Sequence, residues 1–266
     1  MSEYRIPAFF ELGETLDCGQ AFRWKETDGV WTAVAFDKLL SIKKEDSELV
    51  LSCTKDEYET IWKKYFDIET DYEKIKKEIE KVSPVLKDAI KYAPGIRILR
   101  QEPWEALCSF IFSQNNNIPR IKGIVERFCD NFGEDISGHK AFPKAEKIAS
   151  LCEEELAPIR SGFRAKYIMS AADFVASGKI NLNDLYTMPL DEAKNELMKI
   201  KGVGPKVSDC VLLYGLYRTE CFPLDVWMKR AMEVLLPNNK PEDFGKNAGI
   251  AQQYIFHYSR MNADLF

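Results

Sequence analysis

The run Leu197-Met-Lys-Ile-Lys-Gly-Val-Gly-Pro-Lys206, with Asp225 beyond it, holds the residues best suited to chemistry in this chain. Gly202-Val203-Gly204 reads as a hairpin between two helices. Glycine tolerates positive φ and lacks a Cβ, so such a turn can bring bare main-chain N–H groups up to a phosphate. Lys206 falls in the first turn of the second helix. The positive end of that helix disfavours a protonated amine and so favours a nucleophilic one. A phosphate grip, an amine and a carboxylate together suit chemistry on a nucleic-acid backbone or sugar. Each residue also has a plainer reading. Gly-Val-Gly serves as a tight helix–helix turn, and Lys206 as a solvated surface lysine. Asp225 sits after Pro223-Leu224 and before an apolar-periodic stretch, where an N-cap needs no catalysis.

The elements that must position these groups fall into two parts. Phe22-Arg-Trp24 and Val30-Trp-Thr-Ala-Val-Ala-Phe36 flank Lys25-Glu-Thr-Asp-Gly29, whose Asp-Gly pair signals a β-hairpin. Apolar segments at 39–42 and 49–51 extend the strand pattern. From about Lys55 the period becomes helical, through Tyr58, Ile61, Trp62 and Tyr65 and then over 72–92. Pro94-Gly95 marks a boundary. Beyond it helices are expected at 103–113, 118–132, 143–151, 164–177, 190–200, 205–217, 225–235 and 247–261. The reading is an α+β chain: a small antiparallel β-rich domain over 1–96, then a mostly α-helical body over 97–266.

With 266 residues, 45% of them hydrophobic, the chain can bury a sizeable core as one large or two modest domains. No run approaches the roughly 18 apolar residues of a membrane span. The opening Met1-Ser-Glu-Tyr-Arg-Ile-Pro7 lacks the apolar centre of a signal peptide. The seven cysteines are scattered and odd in number, with no CxxC, as expected of reduced thiols in a cytoplasm. A net charge of −5 argues against a protein that coats nucleic acid non-specifically. The charge is uneven, however. Acids cluster over 45–60, while Arg160, Arg164, Lys166, Lys199, Lys201 and Lys206 gather around the hairpin, leaving room for one basic face.

Taken together, these segments resemble a known family. Lys201-Gly-Val-Gly-Pro-Lys206 with Pro223-Leu-Asp225 is similar to the helix-hairpin-helix and Gly/Pro…Asp signature (HhH-GPD) of base-excision DNA glycosylases. Gly19-Gln-Ala-Phe-Arg-Trp24 and Phe112-Ser-Gln-Asn-Asn-Asn-Ile118 narrow the resemblance to the 8-oxoguanine DNA glycosylases of the Ogg type. Gly162-Phe-Arg-Ala-Lys-Tyr167 and Ala248-Gly-Ile-Ala-Gln252 agree, and the likeness runs from about residue 10 to 260. It implies a TBP-like β-rich N-terminal domain and a two-lobed helical glycosylase body, with the helix-hairpin-helix near 190–218.

The resemblance also implies roles. Lys206 would attack C1′ of a flipped nucleotide and form a Schiff base that permits β-elimination. Asp225 would stabilise the positive charge developing on the sugar and help keep the amine deprotonated. The extruded base would lie between Cys210 and Phe256, with its Watson–Crick edge read by Gln252. Cys210 is four residues from Lys206 and Gln252 four from Phe256, spacings that share a helical face; a plain core helix explains the same pattern. The Gly19 carbonyl would accept the N7 hydrogen that distinguishes 8-oxoguanine from guanine, although a turn glycine before a strand is the simpler reading. Asn115 would fill the gap left by the base and Phe163 would wedge beside it. Arg120 and Arg164 would read the estranged cytosine, against a plainer role as solvated arginines, with Asn117 as a helix N-cap ahead of Pro119. The only histidines, His139 and His257, fall in no matched motif.

Two departures stand out. Trp227 occupies the place of a histidine found two residues after the aspartate in eukaryotic members, and Phe163 that of a tyrosine. Some relatives, such as endonuclease III, carry four clustered cysteines near the C-terminus. Here Cys221 is the last cysteine, so no iron–sulfur cluster is expected and no cofactor is required. Hairpin carbonyls could still hold a structural cation. The expected partner is duplex DNA containing 8-oxoguanine, bound by a monomer, in the nucleoid of a bacterium or archaeon or the nucleus of a eukaryote. Two alternatives share the hairpin: a monofunctional glycosylase for alkylated bases, whose members lack a lysine at the position of Lys206, and a non-catalytic helix-hairpin-helix DNA-binding module.

Overall fold

The computed structural model describes residues 2–265, so Met1 and Phe266, which the sequence reading includes in the terminal domains, lie outside the described residues. Five strands, β1 (Tyr4–Pro7), β2 (Lys25–Thr27), β3 (Val30–Ala35), β4 (Lys38–Glu45) and β5 (Glu48–Leu51), form an antiparallel sheet of order β1-β5-β4-β3-β2. A short helix, α1 (Leu12–Leu16), follows β1. Asp28-Gly29 and Phe36-Asp37 all take positive φ, giving two-residue turns whose twist matches that of the flanking strands. Thr54 and Glu57 form a capping box that starts α2 (Lys55–Glu57), which passes through a π-helical turn, Tyr58–Trp62, into α3 (Lys63–Tyr65). Leu40, Ile42 and Leu49 point from the sheet onto Trp62, Tyr65 and Phe66 of this helical run and the residue after it, forming a first core.

The hairpin differs in one respect from its sequence pattern. Strand β2 begins at Lys25, within the segment expected as the loop, and the Phe22–Trp24 segment is not in the sheet. Trp24 is buried in the sheet's core and donates to Tyr65 Oη at 2.9 Å, whereas Phe22 is buried in the core of the helical body. Two side chains that serve different cores cannot alternate along one sheet face.

The helical body runs through α4 (Tyr72–Ile79), α5 (Pro84–Tyr92), α6 (Pro103–Phe112) and α7 (Ile118–Phe132). The ribbon β6 (Asp135–Ile136)/β7 (His139–Lys140) and then α8 (Ala145–Ala149), α9 (Arg164–Ala176) and α10 (Leu190–Met198) follow. After the hairpin, α11 (Pro205–Cys210) continues as a π-helical segment, Val211–Gly215, and the chain closes with α12 (Val226–Leu235) and α13 (Ala248–Met261). The single helix expected over 72–92 is two, because Pro84 lacks an N–H and can only begin a helix there. Helix α6 is buried along all of 105–112 and forms the axis of the second core. A Cβ on Gly215 would lie 2.9 Å from Pro103 Cα, so glycine lets the π-helical segment close onto α6.

The two cores are joined by a buried polar seam. The Gln20 amide nitrogen donates to Thr15 O (2.9 Å) and Arg97 O (2.7 Å), and its oxygen accepts from Leu99 N (2.8 Å). Gln101 in turn donates to Gln20 O at 2.8 Å. Replacing Gln20 by leucine would leave two acceptors and one donor without that partner in a site with 0% exposure. At about 1–3 kcal/mol for each of the three orphaned buried groups, Gln20→Leu should destabilise the fold by at least about 3 kcal/mol in denaturant titration. Lys25→Ala, which removes an ion pair with Glu126 exposed on both sides, should cost less than about 1 kcal/mol.

Candidate active site

A cavity of about 90 Å³ opens between α6, the start of α7, α11, the Pro223–Asp225 segment, α13 and the Gly19 turn, and its lining includes Gly19, Lys206, Cys210, Asp225, Gln252 and Phe256. Six residues from four distant segments of the chain therefore meet at one place. Lys206 is half-buried in the first turn of α11, which Gly204 caps and Pro205 begins. Its Nζ lies 3.0 Å from Ser113 Oγ and 5.2 Å from the centre of the Phe110 ring. Ser113 donates its own hydroxyl proton to Phe110 O at 2.8 Å, which leaves its lone pairs to accept from the amine.

Asp225 caps α12: its Oδ1 accepts from Met228 N at 2.7 Å. The structural reading of this residue is thus met, and Asp225 lines the cavity as well. One carboxylate oxygen is fixed by the cap, which sets the position of the other.

Cys210 is buried one turn after Lys206. Burial pushes its thiol up to about 12, against the smaller opposing pull of Lys206. It stands as a neutral thiol, so no thiolate pairs with the lysine. Gln252 is 4% exposed; its amide nitrogen donates to Pro223 O at 3.3 Å, and its oxygen faces Tyr214 Oη at 3.4 Å.

Gly19 has φ +89°, and a Cβ there would meet Ile118 Cδ1 at 2.9 Å and Phe256 Cε1 at 3.1 Å. Backbone conformation and space both call for glycine. The turn is held from behind by Gln253, which donates to Cys18 O at 3.1 Å while accepting from Tyr214 Oη at 2.6 Å. Sequence reasoning passed over Gln253, Ser113 and Tyr214. An uncharged amide in a fully apolar helical setting was the available signal for Gln253; nothing marked Ser113 beyond its place in the Asn-rich run.

At the hairpin, Gly202 takes φ +88°, and a Cβ would fall 2.3 Å from the Tyr167 ring. Gly204 has extended backbone and open space. Val203 is buried, and its N–H is bonded to Ile200 O at 3.0 Å. The main-chain N–H groups on offer here are accordingly those of the glycines. Lys199 and Lys201, which precede the hairpin, are exposed, as are Arg160 and Lys166.

The remaining four candidates do not line the cavity, although Asn115 lies between Ser113 and Asn116, which do. Asn115 is exposed, in a left-handed conformation (φ +47°), and Asn117 caps α7 through Arg120 N at 3.0 Å. Phe163 is 52% exposed beside the start of α9, Arg120 is exposed, and Arg164 is buried.

Comparison with known proteins shows the family. A model described as the 8-oxoguanine DNA glycosylase N-terminal domain matches residues 4–107, and one described as the HhH-GPD superfamily base excision DNA repair protein matches 108–246. The chain belongs to the Ogg-type HhH-GPD glycosylase family. The N-glycosylase/DNA lyase of Saccharomyces cerevisiae is 32% identical over 251 residues, a match that takes in 82% of this chain and 66% of the yeast protein. The chain thus spans slightly less than two thirds of that relative. The solved structure of MBOgg1 with a low-affinity DNA ligand is 42% identical, with TM-score 0.94, covering 99% of this chain and 97% of that one. The Clostridium acetobutylicum 8-oxoguanine glycosylase/lyase, solved with duplex DNA carrying cytosine opposite 8-oxoguanine, is 36% identical with TM-score 0.89, covering 96% and 93%.

Within this Ogg-type framework, Trp227 is accommodated by donating its indole N–H to Ser259 Oγ at 2.8 Å, tying α12 to α13. Among the described residues, no three His, Cys, Asp or Glu side chains are grouped to hold a metal ion, and no helix is long and apolar enough to cross a membrane.

The raised Cys210 thiol has a readable consequence. Its folded value of about 12 lies above the ordinary 9.0, so its contribution to stability is complete below pH 9 and is lost as pH climbs toward 12. At pH 8, iodoacetamide should label the exposed Cys152 in the folded protein while sparing Cys210, read by peptide mass spectrometry. Equal labelling of the two would mean that Cys210 is a thiolate.

Proposed function

We propose that this chain is a bifunctional DNA glycosylase and abasic-site lyase that removes 8-oxoguanine, opposite cytosine, from duplex DNA. The observation that carries the proposal is the convergence, on one cavity, of an amine, a carboxylate and the Cys210, Gln252 and Phe256 side chains, with Lys206 the one lysine in its lining among the described residues. The family and the likeness to the Clostridium enzyme support the choice of lesion.

The base must leave the stack, since C1′ is out of reach inside a duplex. The flipped base lies between Cys210 and Phe256, and Gln252 reads its Watson–Crick edge. The Gly19 carbonyl accepts the N7 hydrogen that guanine lacks. Lys206 Nζ attacks C1′; the bond from C1′ to N9 breaks, and the departing base takes the electron pair and then a proton. Asp225 stabilises the positive charge on the sugar as this bond stretches. The amine adduct then loses a proton, the ring opens with protonation of O4′, and an imine joins Nζ to C1′. Loss of a 2′ proton expels the 3′ phosphate, and water hydrolyses the imine to restore the lysine.

Outside the pocket, the main-chain N–H groups of Gly202 and Gly204 hold a backbone phosphate, while Val203, whose N–H is bonded to Ile200 O, packs the hairpin against the body. Asn115 and Phe163 occupy the space the base leaves, and Arg120 reads the estranged cytosine. The enzyme acts as a monomer on chromosomal DNA, in a nucleoid or in a nucleus. The steps use this chain's own side chains; a cation held by hairpin carbonyls would serve only the phosphate grip.

Borohydride reduction with an 8-oxoguanine duplex should trap a covalent protein–DNA adduct, absent in Lys206→Gln while DNA binding persists. A well-folded wild-type protein that forms no adduct on any lesion duplex would overturn the lyase reading. Asp225→Asn should slow base release in single-turnover assays by at least about 100-fold, the scale of losing one electrostatic stabiliser, with far less effect on DNA binding. Equal losses in both would reduce Asp225 to a helix cap.

A further inference from the structure

The last turn of α13 places an arginine beside the cavity that the proposed chemistry leaves unused. Arg260 is half-buried, and among the described residues no hydrogen bond or ion pair engages its guanidinium. Its Nη1 lies 3.6 Å from where a Cβ on Gly19 would stand, and its Cζ lies 5.5 Å from the centre of the Phe256 ring. Gly19 and Phe256 line the cavity and Arg260 does not, so the guanidinium sits at the cavity's edge. Asp17 acts on the neighbouring His257, but its carboxylate is engaged by Lys122 Nζ at 2.6 Å. Burial holds the His257 imidazole below its ordinary value, and the Arg260 charge lowers it further. The turn that carries Arg260 is fixed from behind. Ser259 Oγ accepts from Trp227 Nε1 at 2.8 Å and donates to Phe256 O at 3.1 Å, which ties the end of α13 to α12.

We infer that Arg260 binds a DNA phosphate next to the flipped nucleotide, and so favours the extruded state over the stacked one. The inference rests on the functional reading above and deepens it. When a base enters the cavity, its sugar and the two flanking phosphates stay outside, at the edge. A guanidinium waiting there without a carboxylate finds in a phosphate oxygen the strongest acceptor on offer. The Phe256 ring steadies the cation without neutralising it. Its contact with Gly19 and Phe256 sets the timing. The phosphate comes within reach of Arg260 as the base slides between those residues and Cys210, whereas the hairpin glycines serve the backbone elsewhere.

The test measures affinity across a range of salt for three duplexes: one with 8-oxoguanine, one with a tetrahydrofuran abasic site, and one undamaged. Arg260→Ala, Arg260→Lys and the exposed control Lys55→Ala are each made in the Lys206→Gln background, which leaves the DNA uncut. Arg260→Ala should weaken binding to both damaged duplexes by at least about tenfold, the scale of one charged hydrogen bond. Its slope of log affinity against log salt should be shallower by about 0.9, the value for one phosphate contact. The undamaged duplex should lose far less, and Arg260→Lys should recover most of the binding. A methylphosphonate at the contacted phosphate should make Arg260→Ala silent. A loss confined to 8-oxoguanine would mean that Arg260 reads the base, and would overturn the phosphate contact. So would an unchanged salt slope, an equal loss on undamaged DNA, or an equal loss in Lys55→Ala. Wild type that excises 8-oxoguanine, with Arg260→Ala binding as tightly as its parent, overturns this inference alone. Wild type that excises no 8-oxoguanine overturns the functional reading instead.

Discussion

Three buried amides hold the Cys18–Gly19–Gln20 turn between the sheet layer and the helical body, and the cavity is built against that turn. Gln20 and Gln101 tie it to the extended segment that links the two cores, while Gln253 reaches it from α13. Gln20 and Gln253 each donate and accept, and Gln101 donates to Gln20 O, so the seam is satisfied only in one register of turn, segment and helix. With the turn in that register, Gly19 lies against Phe256 and Ile118 with no room for a side chain. The width of the slot thus follows from a polar network that is not itself in the cavity.

The chemistry of the slot follows from what burial permits. Cys210, one helical turn from Lys206, is kept as a thiol by its apolar setting, so it offers a flat, uncharged contact rather than a counter-ion. Asp225 is the carboxylate in the lining, and a helix N-terminus steadies it. Ser113 accepts from the amine while its own proton is occupied elsewhere, which orients Lys206 without adding a charge. The pocket therefore carries one amine and one carboxylate among largely neutral surroundings, an arrangement in which a positive charge on a bound sugar would be strongly felt.

The local turns and caps were legible from sequence because they depend on a few neighbouring residues. Asp28-Gly29, the Pro at the start of α6 and α11, Asn117 before α7 and Asp225 before α12 each act through backbone geometry within a turn or two. The errors arose where distant packing decides. Phe22 and Trp24 look like alternating strand residues, yet each is claimed by a different core. The π-helical turns at Tyr58–Trp62 and Val211–Gly215 sit inside helical periodicity and reflect packing against other elements, the second of them against α6.

By itself the sequence determined the helix-hairpin-helix, the lysine at the start of its second helix, the aspartate at a later helix start, and the family in which such an order occurs. Those are matters of residue type and spacing along one strand of chain. Only the tertiary structure decided that Gly19, Ser113, Lys206, Asp225, Gln252 and Phe256 share one cavity, and that Arg120 is exposed while Arg164 is buried. Both outcomes depend on contacts between residues far apart in the chain. Burial and hydrogen-bond partners, which set what a side chain can still do, exist only once those segments are packed together.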